Sequence, residues 1–330
     1  MNSPETTPLV SICIPTYNSA KYLPEMLDSI ASQTYKNIEV IISDNASTDN
    51  TIDIIKAYEA RFGWKLFENQ TNIGAGDNFN RLISLAQGDY VAIYHADDVY
   101  HKDIVEKSVA AFLGNKEVGL VGTMAHIIDH KSQLIGKYML PDKIKKIKKA
   151  VYDFNECMLG IIDYKRLPDN DYVLFFITSS MMTKREVFRD VGVFDATSFF
   201  SAVDYELWLR IAKRYKVAIL NEPLLKYRMH CNQGSQKELR ENQNIADIYL
   251  VLKKHKEKIT DRSIARMCDK RMDRLILSGV VKQNRLRLFE KSQATLDMMS
   301  NRYLLLAKVS IRILNVMHIP VPRRGAKSAG

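Results

Sequence analysis

Five short apolar runs alternate with four helical patterns in the first 124 residues, and this alternation constrains the fold more than any other feature of the chain. Each apolar run has the length of a buried strand, and each stretch between runs has apolar residues three and four positions apart, as in a helix packed on one face. Such alternation predicts a parallel sheet covered by crossover helices. The predicted strands are Leu9–Ile14, Ile38–Ser43, Trp64–Glu68, Tyr90–Tyr94 and Val118–Met124, and the predicted helices are Ala20–Ser32, Thr51–Phe62, Ala75–Ala86 and Lys102–Leu113.

The second half continues the pattern and then changes character. An apolar strand is predicted from Tyr172 to Met182, a helix from Asp204 to Tyr215, and two short strands at Val217–Leu220 and Leu224–Arg228. Beyond Ser235 only helical patterns remain. We therefore predict a domain over residues 1–235 and an all-helical region over residues 236–330.

Composition excludes several classes of protein. A chain of 330 residues with 46% hydrophobic and 26% charged content is neither disordered nor fibrous. Its 4 cysteines show neither metal-ligand spacing nor the density of a disulfide framework, which favours a reducing compartment and no zinc site. No apolar stretch approaches the roughly 20 residues of a membrane span, so we expect a cytoplasmic or peripheral protein.

The positive charge is concentrated in the helical region. Residues 236–330 hold 21 Lys and Arg against 9 Asp and Glu, which is a net charge of +12. The whole chain has a net charge of +10, so residues 1–235 have a net charge of −2. An anionic partner would meet this region. Nucleic acid is not expected, because the region lacks basic residues interleaved with aromatic ones. Anionic membrane is the better match.

The last predicted helix, Tyr303–His318, has two open interpretations. Its apolar residues, with Lys308 and Arg312 four positions apart and Arg323 and Arg324 beyond Pro320, fit an amphipathic helix at a membrane surface. The same stripe is also what a terminal helix packed on its neighbours presents.

Polar loops follow the first, second and fourth predicted strands. They are Pro15–Asn18, Ser43–Asp49 and His95–Asp98. Because ligands of open α/β sheets collect beyond the carboxyl ends of the strands, these loops are predicted to face one cleft. Asp97 and Asp98 offer the oxygen ligands that Mn²⁺ or Mg²⁺ prefers. Adjacent aspartates also form turns and helix caps, so the pair alone is open to both interpretations.

Taken together, these segments resemble the family 2 glycosyltransferases over roughly residues 8 to 235. The resemblance implies an α/β fold with a Rossmann-like, mixed but mostly parallel sheet, the A-type nucleotide-sugar fold, followed here by a C-terminal helical extension. It implies a nucleotide-sugar donor half at residues 1–125 and an acceptor half at residues 126–235. The matching segments are Val10–Asn18, Ile41–Thr51, Asn72–Gly74, Gly88–Tyr90 and Asp97–Asp98.

The resemblance also implies roles for residues of the donor half. The family's base-contacting aspartate falls on Asp44, and its metal-binding aspartate falls on Asp97 with Asp98 beside it. The sequence departs from the family pattern at two positions: His95 stands where an aspartate commonly begins the metal loop, and Asn45 stands where a second aspartate is frequent. The full set implied to bind the nucleotide sugar is Pro15, Thr16, Tyr17, Asp44, Asn72, His95, Ala96, Asp97 and Arg228.

In the acceptor half, Phe199–Arg210 resembles the family segment in which an aspartate opens a helix and acts as catalytic base. Asp204 takes that position, although Val203 replaces the glutamate that often precedes it. A positioned carboxylate base contributes about 10² to 10⁴ in rate. Asp204 can also cap its helix, and the two roles are compatible. A single carboxylate base implies direct displacement with inversion.

The segment Leu225–His230 resembles the family's closing segment, whose basic side chains lie near the diphosphate or metal. His230 is implied as a metal ligand with Asp97 and Asp98, and a structural histidine is the competing interpretation. Arg228 is implied to bind phosphate, because its guanidinium matches phosphate oxygens.

The resemblance implies transfer of a sugar from a UDP- or dTDP-linked donor to a hydroxyl of a polysaccharide or lipid-linked oligosaccharide in cell-surface glycan synthesis. A Rossmann oxidoreductase or a sugar nucleotidyltransferase would carry a glycine-rich loop after the first strand, and Pro15–Asn18 contains no glycine. The alternative function is a catalytically inactive scaffold of this fold, whose basic helical region binds membrane or another anionic partner.

Overall fold

The computed structural model describes residues 7–167, 171–199, 201–231, 233, 243–297 and 305–321. These residues form two compact units. The first unit comprises the described residues up to Phe199 together with Val203–Gln233, and the second comprises those of ranges 200–202 and 234–330.

Twelve strands of the first unit join in one sheet within the described residues. Their apolar side chains are buried on both faces, as expected for strands between helical layers: Ile12 and Ile14 on one face and Cys13 on the other are inaccessible to solvent. The strands are β1 Val10–Thr16, β2 Ile38–Asp44, β3 Lys65–Glu68, β4 Tyr90–Ile93, β5 Val99–Tyr100, β6 Val118–Ile128, β7 Leu134–Met139, β8 Val151–Tyr152, β9 Lys165–Arg166, β10 Tyr172–Val173, β11 Met182–Lys184 and β12 Lys216–Arg228.

The first four strands lie in the order β3-β2-β1-β4, and all three pairings are parallel. This order gathers the carboxyl ends of β1, β2 and β4 at one edge, as the sequence pattern predicts. Beyond β4 the sheet is mixed: β11 lies antiparallel between β4 and β6, and β6 pairs parallel with β12. The predicted α/β fold with a mixed, mostly parallel sheet is confirmed.

Local signals explain where several helices begin and end. Pro24 stands in the first turn of α1, where its missing N–H costs nothing. Gly63 ends α2 in the left-handed conformation with φ 70°. Asp153 and Glu156 form a capping box that starts α6. The helices of the first unit are α1 Leu23–Ala31, α2 Thr51–Phe62, α3 Ala75–Leu85, α4 Ile104–Gly114, α5 Asp142–Lys145, α6 Phe154–Ile162, α7 Arg185–Val191 and α8 Val203–Ala212.

Two predicted stretches differ from the structure. The continuous strand predicted from Tyr172 to Met182 is instead β10, an irregular segment, and a 3₁₀ turn at Thr178–Ser180 that leads to β11. The two strands predicted between Val217 and Arg228 form one strand, β12, whose register along β6 shifts on both sides of Pro223. Proline cannot donate to the ladder, so the pairing is irregular there while the strand continues.

The second unit is helical. Its core contains Ile276, Val280, Leu296 and Ile311. Val309, Ile313, Val316 and Met317 are each about half exposed or more. Its helices are α9 Gln243–Lys256, α10 Arg262–Arg285, α11 Phe289–Asp297 and α12 Leu305–Val316.

The helix α12 lies within the predicted terminal helix, and its contact with a membrane stays a prediction. One side carries Ile311 into the core, whereas another side presents apolar residues to solvent. The start of the predicted helix at Tyr303, and the arginines Arg323 and Arg324, lie outside the described residues. Among the described helices, none is long and apolar enough to cross a bilayer.

Candidate active site

The loops after β1 and β2 are bonded to each other through Asp44. This carboxylate is buried and accepts hydrogen bonds from the Thr16 hydroxyl at 2.8 Å and from the Ser47 hydroxyl at 2.6 Å. Its second oxygen accepts the Ser47 backbone N–H at 2.8 Å. The structure thus brings the predicted residues Thr16 and Asp44 together. Pro15 precedes them on β1, and Tyr17 follows with half its surface exposed.

Asn45 organises the neighbouring loop. Its side-chain amide donates to Asn72 Oδ1 at 2.9 Å, while its Oδ1 accepts from Asn69 Nδ2 at 3.0 Å and from the Ile73 backbone N–H at 2.9 Å. An aspartate could only accept, so this departure from the family pattern matches a network that needs both functions. The network places Asn72 beside the Asp44 loop. Asn69 has no distinguishing sequence signal.

The predicted metal loop, His95–Asp98, follows β4. One ring nitrogen of His95 and one carboxylate oxygen from each of Asp97 and Asp98 lie within 4.8 Å of one another. Between them, Ala96 is buried. Burial lowers the pKa of His95 and so favours the neutral ring, which can coordinate a cation. The three donors fit a divalent cation.

Asp98 is the most buried carboxylate of the loop, at 1% exposure. One of its oxygens accepts the Arg228 backbone N–H at 2.8 Å. Burial, with a smaller contribution from the neighbouring Asp97 charge, raises the pKa of Asp98 well above its ordinary value. A cation at the loop would offset this cost by favouring the ionised form.

Arg228 is buried, and its guanidinium binds protein groups on three sides. Nε donates to the Asp97 backbone carbonyl at 2.8 Å, Nη1 donates to Ser132 Oγ at 2.9 Å, and Nη2 pairs with Glu25 Oε2 at 2.6 Å. The guanidinium carbon also lies 4.6 Å from the centre of the Tyr22 ring. These contacts hold the end of β12 against the metal loop. The predicted contact of Arg228 with phosphate stays a prediction.

His230 lies at the metal loop as well. Its Nε2 is 3.0 Å from Asp97 Oδ2, and its ring centre is 4.9 Å from that of Tyr22. The structure thus brings Asp97, Asp98 and His230 together, as the sequence analysis predicts. It adds Glu25 and Tyr22, which sequence reasoning missed because they lie on or next to α1, far from the loop in sequence.

Asp204 lies in the first turn of α8. Its Oδ1 accepts the Tyr205 backbone N–H at 2.7 Å, and its Oδ2 accepts a hydrogen bond from the Thr178 hydroxyl. Burial raises the pKa of Asp204, and the Thr178 hydrogen bond opposes that rise. A carboxylate with a raised pKa is a stronger base than an ordinary aspartate, which suits proton abstraction from a hydroxyl.

A single 3₁₀ turn affects both carboxylate positions. Thr178 binds Asp204, and the next residue, Ser179, is buried and opposes the rise in the pKa of Asp98. Consecutive residues of one short turn therefore act on Asp204 and on Asp98. A base and a candidate cation site linked by one turn can serve a displacement in which a diphosphate leaves.

Similar sequences identify the family to which the chain belongs. Residues 11–192 match the family described as glycosyl transferase family 2. An uncharacterised glycosyltransferase of Methanocaldococcus jannaschii is 31% identical over 228 residues, which cover 67% of this chain and 71% of that protein. An uncharacterised glycosyltransferase of Rickettsia felis is 29% identical over 234 residues, and the match spans only 36% of that longer protein.

Solved structures share the fold. TarS 1–349 of S. aureus, in complex with UDP-GlcNAc, has a TM-score of 0.55 at 17% identity, and the match covers 94% of this chain and 82% of that one. The mannosyltransferase PcManGT of Pyrobaculum calidifontis, in complex with GDP-Man and Mn²⁺, also gives 0.55 at 17% identity and covers 94% and 88%. With the sequence match over more than half of its length, the chain belongs to glycosyl transferase family 2.

Proposed function

We propose that this glycosyltransferase is metal-dependent and inverting, and that it moves a hexose from a UDP- or dTDP-linked donor to an acceptor hydroxyl. Residues 1–235 form the catalytic domain, with the donor half at residues 1–125 and the acceptor half at residues 126–235. The observation that carries the proposal is the group of donor atoms from His95, Asp97 and Asp98, which lie within 4.8 Å of one another just beyond β4.

In this proposal Asp204 is the catalytic base. Its ionised carboxylate removes the proton from the acceptor hydroxyl, and the hydroxyl oxygen forms a bond to the anomeric carbon. The bond between that carbon and the phosphate oxygen breaks, and the nucleoside diphosphate leaves with the electron pair. Attack and departure are on opposite faces of the sugar, so the configuration inverts.

The nucleotide occupies the loops after β1, β2 and β4. Pro15, Thr16 and Tyr17 line the base and ribose, and Asp44 fixes their geometry through the Thr16 hydroxyl. Asn72, His95 and Ala96 complete this binding surface, and Arg228 adds positive charge near the diphosphate. The UDP-GlcNAc bound to TarS supports a uridine nucleotide as donor.

Asp97, Asp98 and His230 hold Mn²⁺ or Mg²⁺ in this proposal. A divalent cation neutralises the charge that develops on the departing diphosphate. The Mn²⁺ bound to PcManGT supports a cation in this fold. The protein's own part is to orient the ligands: Arg228 holds the Asp97 backbone, and His230 contacts the Asp97 carboxylate.

The test is a panel of nucleotide sugars, with and without Mn²⁺, assayed for release of the nucleoside diphosphate. Asp97→Ala should abolish the cation dependence, and Asp204→Asn should lower kcat by about 10² or more. Lys107→Gln, at an exposed surface pair, is the matched control. Normal turnover by both aspartate variants would exclude these roles, and absence of turnover with every donor would favour the inactive scaffold.

We propose further that the basic region 236–330 contacts anionic lipid at the inner face of a bacterial plasma membrane, where the acceptor is a growing glycan or a lipid-linked oligosaccharide. Exposed apolar side chains of α12, Ile313 and Val316 among them, support this contact. Binding to phosphatidylglycerol vesicles should weaken with salt and in Ile313→Ser/Val316→Ser. Leu134→Ser, at an exposed leucine of the first unit, is the control, and equal binding by all variants would exclude this helix.

A further inference from the structure

His95 is a half-buried residue of the proposed nucleotide-binding surface, and its Nε2 atom is buried. Its ring stacks against Phe79, with centres 5.9 Å apart. Its Nε2 is buried and makes no hydrogen bond to the residues that the structure describes. Leaving a buried polar atom unpaired is unfavourable, so a ligand that uses this nitrogen would recover free energy.

The surroundings of His95 indicate what that ligand is. A ring nitrogen of His95 and an oxygen each from Asp97 and Asp98 lie within 4.8 Å of one another. Two carboxylates and an imidazole form a cation site, not an anion site. The family pattern commonly has an aspartate where His95 stands, so in this chain a nitrogen donor replaces an oxygen donor.

Replacing oxygen by nitrogen changes which cation is preferred. Mg²⁺ demands oxygen ligands and is bound poorly by imidazole, whereas the affinity of nitrogen-containing sites rises along the first transition series from Mn²⁺. We propose that His95 is a ligand of the bound cation and makes the site select Mn²⁺ or a later transition ion over Mg²⁺. This inference rests on the proposed cation site and deepens it.

His230 is a second ring donor at this site. Its Nε2 contacts Asp97 Oδ2 at 3.0 Å, but it is not a member of the group of three donors that lie within 4.8 Å of one another. The proposed function makes His230 a ligand as well, so its own nitrogen must be removed before the nitrogen of His95 can be detected. His95 and His230 can therefore be separated by experiment.

The test uses the full chain and measures Mn²⁺ binding by electron paramagnetic resonance, with Mg²⁺ as competitor, with and without UDP. Wild type should prefer Mn²⁺, and His95→Asp should lower the ratio of Mn²⁺ to Mg²⁺ affinity about tenfold or more. His95→Gln, a second variant, removes the ring nitrogen without adding a negative charge. His101→Asn, at an exposed histidine, should leave the ratio unchanged. Thermal melts confirm that each variant is folded.

A spectroscopic signature separates ligation from a merely structural role. In the His230→Asn background, electron spin echo modulation from ¹⁴N on bound Mn²⁺ should persist, and the added His95→Asp change should remove it. An unchanged Mn²⁺ to Mg²⁺ ratio, or a ¹⁴N signal that survives the double change, would overturn the inference. If wild type still releases nucleoside diphosphate in that case, only this inference fails. If the ¹⁴N signal is found but no sugar nucleotide is cleaved, the proposed function fails instead.

Discussion

Thr178 donates a hydrogen bond from its hydroxyl to Asp204, although 26 positions separate the two residues. The contact joins the proposed base to a turn whose next residue, Ser179, opposes the rise in the pKa of Asp98. A hydrogen bond to a carboxylate favours the ionised form, which is the form that accepts a proton. The turn therefore affects both the position and the protonation of Asp204.

Thr178→Val should move the acid limb of the pH profile of kcat/KM to higher pH. Burial already raises the pKa of Asp204, and removing the hydroxyl removes a contact that lowers it, so the pKa rises further. Below that pKa, each further unit of decrease in pH lowers the fraction of ionised Asp204 about tenfold. Thr178→Ser keeps the hydroxyl and should retain the wild-type limb. Identical limbs in the Val variant and wild type would show that Thr178 does not control this ionisation.

Asp98→Asn should raise Tm at about pH 8 in the presence of a chelator, and the gain should shrink toward about pH 4. The pKa of Asp98 is raised in the folded state, so wild type loses stability as pH rises through that pKa. Asparagine removes the buried charge and keeps an oxygen for the Arg228 N–H. Each kcal/mol in the free energy of unfolding corresponds to a shift of about 2–4 °C in Tm. If Tm of the variant differs from that of wild type by the same amount at both pH values, the prediction is contradicted.

Arg228→Lys should weaken the metal loop. Lysine keeps the charge but cannot reproduce the fork that binds the Asp97 carbonyl and Glu25 together. We expect a loss of about 1–3 kcal/mol in the free energy of unfolding and about tenfold in Mn²⁺ affinity. Denaturant titration and Mn²⁺ titration measure the two effects. Glu222→Gln, at an exposed ion pair, should change neither the stability nor the Mn²⁺ affinity. If Arg228→Lys also changes neither, the forked contact is dispensable.

Asn45→Asp should raise KM for the sugar nucleotide about fivefold with little change in kcat, because one hydrogen bond is worth about 1 kcal/mol. The substitution keeps the acceptor for the Ile73 N–H and removes the donor to Asn72. Asn37→Asp, just before the amino end of β2, is the control. Steady-state kinetics over a range of donor concentrations distinguish the outcomes, and an unaffected KM would exclude a role for this network in donor binding.

The first 124 residues could be predicted closely from the sequence, because their signals are local. Apolar runs of strand length and helical spacing depend on neighbours within a few positions, so β1, β2 and β4 lie within one residue of prediction at nearly every end. The loops that hold Asp44 and Asp97 are therefore predicted to face one cleft. The Tyr172–Met182 segment was wrong as a strand, since an apolar run does not distinguish a strand from a buried irregular segment.

What the sequence determined by itself is the alternation of elements, the family resemblance and the residue types at the strand ends. Only the tertiary structure decided that β11 lies between β4 and β6, that Glu25 pairs with Arg228 across 203 positions, and that Thr178 binds Asp204. Periodicity is set along the chain, and hence it can be read from the chain. Contacts between distant segments arise when side chains pack in three dimensions, and no local pattern records which partner a buried charge or hydroxyl will meet.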